Sequence, residues 1–199
     1  MKTSNIVLSI FLALVAPLLT SCLGGFLEPK EDLTKFYLMR PAKSMAKVDV
    51  KAPLKINILP ITTPSYMARN QIVTLSPNGI VELSEFNRWA ESAQSNFTRV
   101  LLDNIGATSD KVDVFAYPSH SNDGLNLRIY INDCIGTLNG TLVLKGKWQA
   151  DCIETKKQIA KDFSIKLDCG NSYMTYVEAI DKAMAELSFD IVKEISSNK

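Results

Sequence analysis

The stretch Leu125–Cys152, LNLRIYINDCIGTLNGTLVLKGKWQADC, decides how this chain folds. Apolar and polar residues alternate through Leu125–Ile135 and again through Thr141–Cys152, the period of a strand with one buried face. Between them sits Asn139-Gly140, a favoured two-residue hairpin turn. Such a turn places Leu138 opposite Thr141 and, counting back, Cys134 opposite Lys145. Gln158–Leu167 continues the alternation, so the three segments read as consecutive antiparallel strands.

Upstream of this meander, Lys111–Tyr117 reads as a short strand. Ser84–Ile105 reads as a helix capped by Ser84. Its apolar stripe comprises Phe86, Trp89, Ala90, Ala93, Phe97, Val100, Leu101 and Ile105, and Gly106 stands where a stop belongs. Gln71–Leu75 and Ile80–Leu83 flank Ser76-Pro77-Asn78-Gly79, a hairpin signal. Thr62–Asn70 is a turn or a single helical turn. Leu54–Ile61 is a strand with Leu54, Ile56 and Ile58 on one side, and Pro60 ends it or bends it at an edge. Arg40–Pro53 is a polar connection, and Lys35–Met39 a first strand. Downstream, Asn171–Ile195 is an amphipathic helix that buries Tyr173, Val177, Ile180, Met184, Leu187, Ile191 and Ile195. Neither helix is stable alone, so both must lie on the sheet. The expected class is α+β: one domain, Lys35–Lys199, with a mixed or antiparallel sheet covered by two amphipathic helices.

The amino-terminal part has a different character. Lys2 precedes Ile6–Leu19, an apolar run too short for a membrane span, which needs about 20 residues. This is the pattern of a signal peptide, Met1–Ser21. Leu19-Thr20-Ser21-Cys22 then resembles the lipobox of bacterial lipoproteins, in which the cysteine thiol takes a diacylglycerol and the new amino terminus is acylated as well. Cys22–Thr34 becomes a lipidated residue and tether, with Gly24, Gly25 and Pro29 opposing regular structure. Two or more acyl chains anchor a protein stably without a spanning helix. Asp after the cysteine signals inner-membrane retention in enterobacterial sorting, so Leu23 favours the outer membrane, with the inner membrane as the alternative.

Chemistry-bearing motifs are scarce. The chain has 22 basic and 21 acidic residues. Removal of Lys2 with the leader balances them, which argues against nucleic acid as a partner. His120, in the polar loop Ser119–Asp123, has no neighbours at metal-ligand spacing, and no Cys-x-x-Cys pair occurs. No phosphate-cradling glycine loop appears. Ser44-Met-Ala-Lys47 has the spacing of a penicillin-binding nucleophile motif but lacks its companion elements. Glu82 and Glu85 straddle a strand end and a helix start, where solvation and the helix dipole account for them. Cys134, Cys152 and Cys169 leave one thiol over, and no pairing follows from their positions. The expectation is a non-enzyme with no cofactor, metal or catalytic residue.

One segment carries a resemblance. It reads Ile58-Leu-Pro60, Pro64-Ser-Tyr66-Met-Ala-Arg69-Asn-Gln71-Ile-Val73, Asn78 and Arg88-Trp89-Ala90-Glu91. Together with Phe36-Tyr37-Leu38, Val143–Trp148 and the closing helix, it resembles the PqiC-type auxiliary lipoproteins that serve transporters built on MCE (mammalian cell entry) domains. In that family the helix opens with Arg-Trp-Ala-Glu, and leucine often stands where this chain has Met67. The resemblance implies a docking subunit that receives a periplasmic MCE tube at the outer membrane for phospholipid or hydrophobic-solute transport, and that self-associates into a ring. Tyr66, Arg69 and Gln71 are the candidate partner-binding residues, because they follow a strand in a loop-like segment and Tyr and Arg are frequent interface anchors. Arg69 has an equal alternative in an ion pair with Glu91. Trp89 and Trp148 read as core. The competing functions are a structural envelope lipoprotein that binds peptidoglycan or another assembly, and a hydrolase for which no nucleophile is evident.

Overall fold

Strands β1 (Lys35–Tyr37), β2 (Leu54–Ile58), β3 (Gln71–Leu75), β4 (Val81–Trp89), β5 (Val112–Ala116), β6 (Leu125–Gly136), β7 (Thr141–Cys152) and β8 (Gln158–Asp168) are joined by helices α1 (Ala93–Ala107) and α2 (Tyr173–Ser197). The computed structural model describes residues 31–116, 119 and 121–198. The signal peptide, Cys22, most of the tether and His120 lie outside the described residues. Met1–Leu33 and Thr34–Lys199 form separate units, and the architecture here is that of the second.

The class is α+β, as read from the sequence, but the strands form two sheets. Five strands are ordered β5-β2-β6-β7-β8, and three are ordered β1-β4-β3. In the larger sheet β2 is parallel to both neighbours, while β6, β7 and β8 form the antiparallel meander. The sheets are tied by a bridge from Leu75 to Thr137, and the buried Tyr176 hydroxyl of α2 donates to the Val73 carbonyl of β3 at 3.1 Å. The core gathers Leu127, Ile129, Leu142, Leu144 and Trp148 from the meander beneath Ile180, Met184, Leu187 and Ile191 of α2. Ser172 caps α2 with a reciprocal capping box to Thr175, which satisfies amides that would otherwise lack partners.

Several local readings are corrected. Ser84–Trp89 is strand, and the first helix begins after Ser92, whose Oγ accepts from the Ser95 amide at 3.1 Å. Tertiary pairing overrides the helical spacing: Gln71 faces Arg88, and β1 lies against Asn87–Trp89. Phe86 is consequently exposed on a strand rather than buried on a helix, and Glu82 and Glu85 both lie on the exposed part of β4. Gly106 does not stop the helix; Thr108 does, donating its amide and hydroxyl to the Ile105 carbonyl. Pro60 lies beyond the end of β2, an interior strand, and not at a sheet edge.

The β6–β7 turn is also one residue longer than expected. Thr137 donates its amide to the Thr141 carbonyl, so Leu138, Asn139 and Gly140 form the loop, with Asn139 left-handed at φ 59°. Cys134 therefore faces Leu144, and Lys145 faces Asp133, to which it is ion-paired at 2.7 Å. A register shift between Ile131 and Asp133 moves the buried set of β6 from odd to even positions.

The connection from Met39 to Pro53 has no strand ladder, yet Met39 and Val50 are buried. Side chains from both helices supply its hydrogen bonds. Asn96 accepts from the Met39 amide at 2.7 Å and donates to its carbonyl at 3.0 Å. Asn104 accepts from the Ala42 amide at 2.8 Å, and Asp181 from the Arg40 amide at 2.9 Å.

Asn96→Ala leaves two buried backbone groups unsatisfied and is expected to lower unfolding free energy by about 3 kcal/mol, measured by denaturant titration. Burial pushes the Asp181 carboxyl up to about 6, from 3.8. An acid whose pKa is raised in the fold holds its proton longer folded than unfolded, so this group's contribution to stability falls as pH rises from about 4 to about 6. Asp181→Asn retains an acceptor for Arg40 and should raise the melting temperature at pH 7 while flattening that pH dependence.

Candidate functional site

The segment between β2 and β3 is built around Tyr66. After Pro60, Ile61 is buried and Thr62 bridges β6, its amide donating to the Ile129 carbonyl at 3.0 Å. Pro64 then opens a single 3₁₀ turn, Ser65–Ala68. The turn aims Tyr66 and Met67 inward. The Tyr66 hydroxyl accepts from the Cys134 amide at 2.8 Å, just past the register shift in β6. Its half-buried position raises the pKa of the phenol, so the group is a neutral structural acceptor. Met67 is fully enclosed, which suits an apolar side chain in a leucine-like position.

Arg69 leaves this turn in extended conformation and is exposed. Its alternative partner is engaged elsewhere, because Glu91 is ion-paired with Arg99 at 2.7 Å. Gln71 is half-buried at the start of β3, opposite Arg88. The three candidate residues thus lie on one short segment with different orientations: Tyr66 clamps it to β6, Gln71 joins the small sheet, and Arg69 is presented to solvent. Arg88 and Trp89 finish β4 instead of opening a helix, and both tryptophans belong to the core.

The remaining chemistry-bearing side chains are dispersed. Cys134 and Cys169 are buried free thiols and Cys152 is a partly exposed one. Burial pushes Cys134 up to about 12 and also raises Cys169, whereas hydrogen bonding from Thr155 lowers Cys152. Among the described residues, no group of three or more His, Cys, Asp or Glu side chains converges as a metal site would require. No described helix is long and apolar enough to cross a membrane.

A surface feature escaped the sequence reading. Ile80, Val81, Leu83 and Phe86 stand exposed along the β3–β4 hairpin, and Phe36 stands exposed on β1. Val81-Glu82-Leu83 alternates as a strand does, but Phe86 shares the helical spacing of Trp89, Ala90 and Ala93, so the expected helix buries it.

Two of the solved structures that match this chain illustrate the fold. One is an uncharacterized protein at 19% identity, covering 77% of this chain and 99% of its own, with a TM-score of 0.65. The other, from Xanthomonas campestris, is 9% identical, covers 83% of this chain and 97% of its own, and has a TM-score of 0.65. At these identities the likeness is one of fold. No curated protein matches the sequence significantly. The model of the family described as the ABC-type transport auxiliary lipoprotein component matches residues 36–192, which takes in both sheets, α1 and most of α2. The chain belongs to the family of ABC-type transport auxiliary lipoprotein components.

Proposed function

We propose that this protein is a non-catalytic docking subunit of an envelope transport system. It is held at the outer membrane by lipid on Cys22 and receives there the far end of a periplasmic MCE-domain tube, through which phospholipid or another hydrophobic solute passes. The observation that carries the reading is the family match over residues 36–192, directly behind a lipobox cysteine. The segment Tyr66–Gln71 supports it, because a half-buried tyrosine and a buried methionine brace a turn from which Arg69 projects. The backbone of the turn is held in place before contact, so docking at Arg69 has only a side chain to order. Leu23 in place of Asp favours the outer membrane. Self-association into a ring would give the tube a closed seat, since head-to-tail contacts close into rings when the rotation permits.

Affinity capture of the full acylated chain from membranes should recover an MCE-domain protein, and sedimentation in detergent should give a multi-subunit species. Recovery of no such partner, together with a monomer at high concentration, would overturn the proposal. Arg69→Glu should weaken capture by about tenfold or more with an unchanged melting temperature, as for an interface anchor; capture equal to wild type would remove Arg69 from the contact. Tyr66→Phe should behave differently. It leaves the Cys134 amide without its acceptor, so it should lower stability by about 1–2 kcal/mol in thermal or denaturant melts.

A further inference from the structure

Ile80 is 64% exposed at the tip of the β3–β4 hairpin, followed by Val81 at 55%, Leu83 at 47% and Phe86 at 42%. Phe36, opposite Arg88 of β4, continues the strip at 65%. Single exposed apolar side chains are ordinary, but several large ones along one hairpin mark a surface that something covers.

The topology indicates what covers it. β1 runs parallel to β4, with Lys35 opposite Asn87 and Tyr37 opposite Trp89. Followed backwards from Tyr37 to Lys35, the strand points along β4 toward Val81 and the hairpin tip. Twelve residues separate Lys35 from Cys22, at most about 45 Å of extended chain. An acyl anchor at Cys22 therefore keeps this end of the domain within reach of the bilayer.

We propose that Ile80, Val81 and Leu83, with Phe86 and Phe36 behind them, enter the boundary between headgroups and acyl chains in the leaflet that holds the lipid of Cys22. This rests on the reading of Cys22 as lipid-bearing. Tethering makes insertion intramolecular, so a few side chains suffice where they would not recruit a free protein. Glu82 and Glu85 are the charged residues on the hairpin itself, while Lys35 and Arg88 stand beside Phe36. The patch therefore carries charges of both signs, and insertion depends on its apolar side chains rather than on lipid charge. The same two carboxylates disfavour a two-fold contact with a second copy, which sets like charges against each other.

The test uses the full acylated chain with Cys152→Ser and Ile80→Cys, since Cys134 and Cys169 are buried. Residue 80 carries an environment-sensitive fluorophore, and the protein is reconstituted into phosphatidylethanolamine–phosphatidylcholine vesicles containing brominated acyl chains. The expected result is blue-shifted emission quenched about twofold or more. The same label at exposed Lys157→Cys, in the β7–β8 turn, should stay unquenched. Emission at residue 80 as in water, from protein that floats with the vesicles, would overturn the proposal. A blue shift without bromine quenching would assign the strip to a protein contact and overturn it as well. Failure of the anchor reads differently: the chain stays out of the floated vesicles, and the proposal falls with it.

Discussion

The register shift between Ile131 and Asp133 in β6 is the constraint on which the rest of this structure depends. An extra residue in one strand re-phases every side chain beyond it. Ile129 and Ile131 thus face the core before the shift, and Cys134 faces it afterwards. It also turns one backbone amide, that of Cys134, to the Tyr66 hydroxyl. A buried amide without an acceptor is costly. The bond therefore fixes the 3₁₀ turn on β6, and through the turn it fixes where Arg69 emerges.

A related logic holds the amino-terminal connection. Met39–Pro53 crosses the helices without a ladder, so its polar groups are met by Asn96, Asn104 and Asp181. These residues interrupt or flank otherwise apolar faces of α1 and α2. They specify one path for the chain between β1 and β2, and β1 is where the tether enters the domain. Any pull transmitted from a lipid anchor arrives at β1 and at this hydrogen-bonded connection, which is stapled to both helices.

The meander and closing helix were legible in the sequence because strict alternation and a long helical stripe each specify one backbone period. Two features were not. Ser84–Trp89 carries apolar residues at helical spacing, and what makes it a strand is pairing with the distant β1 and, beyond a register shift in the hairpin, with Gln71 of β3. The turn at Asn139-Gly140 absorbs Leu138 as well, which changes the partner of Cys134 by one position. At the candidate site, the loop-like segment expected for Tyr66, Arg69 and Gln71 is a 3₁₀ turn at Tyr66 with Arg69 just after it, while Gln71 already belongs to β3. The sequence could not tell the inward tyrosine from the outward arginine, since that depends on where β6 leaves an amide unpaired.

The proposed reading joins a lipid-held amino terminus to a domain whose exposed turn and apolar hairpin make contacts. Its central claim is that grease on one thiol fixes the protein to a bilayer, and the most direct measurement is mass spectrometry of the mature amino-terminal peptide from membranes. The account predicts a chain that begins at Cys22 and carries thioether-linked diacylglycerol and an amide-linked acyl group. An unmodified Cys22, in protein recovered from the soluble fraction, would contradict it.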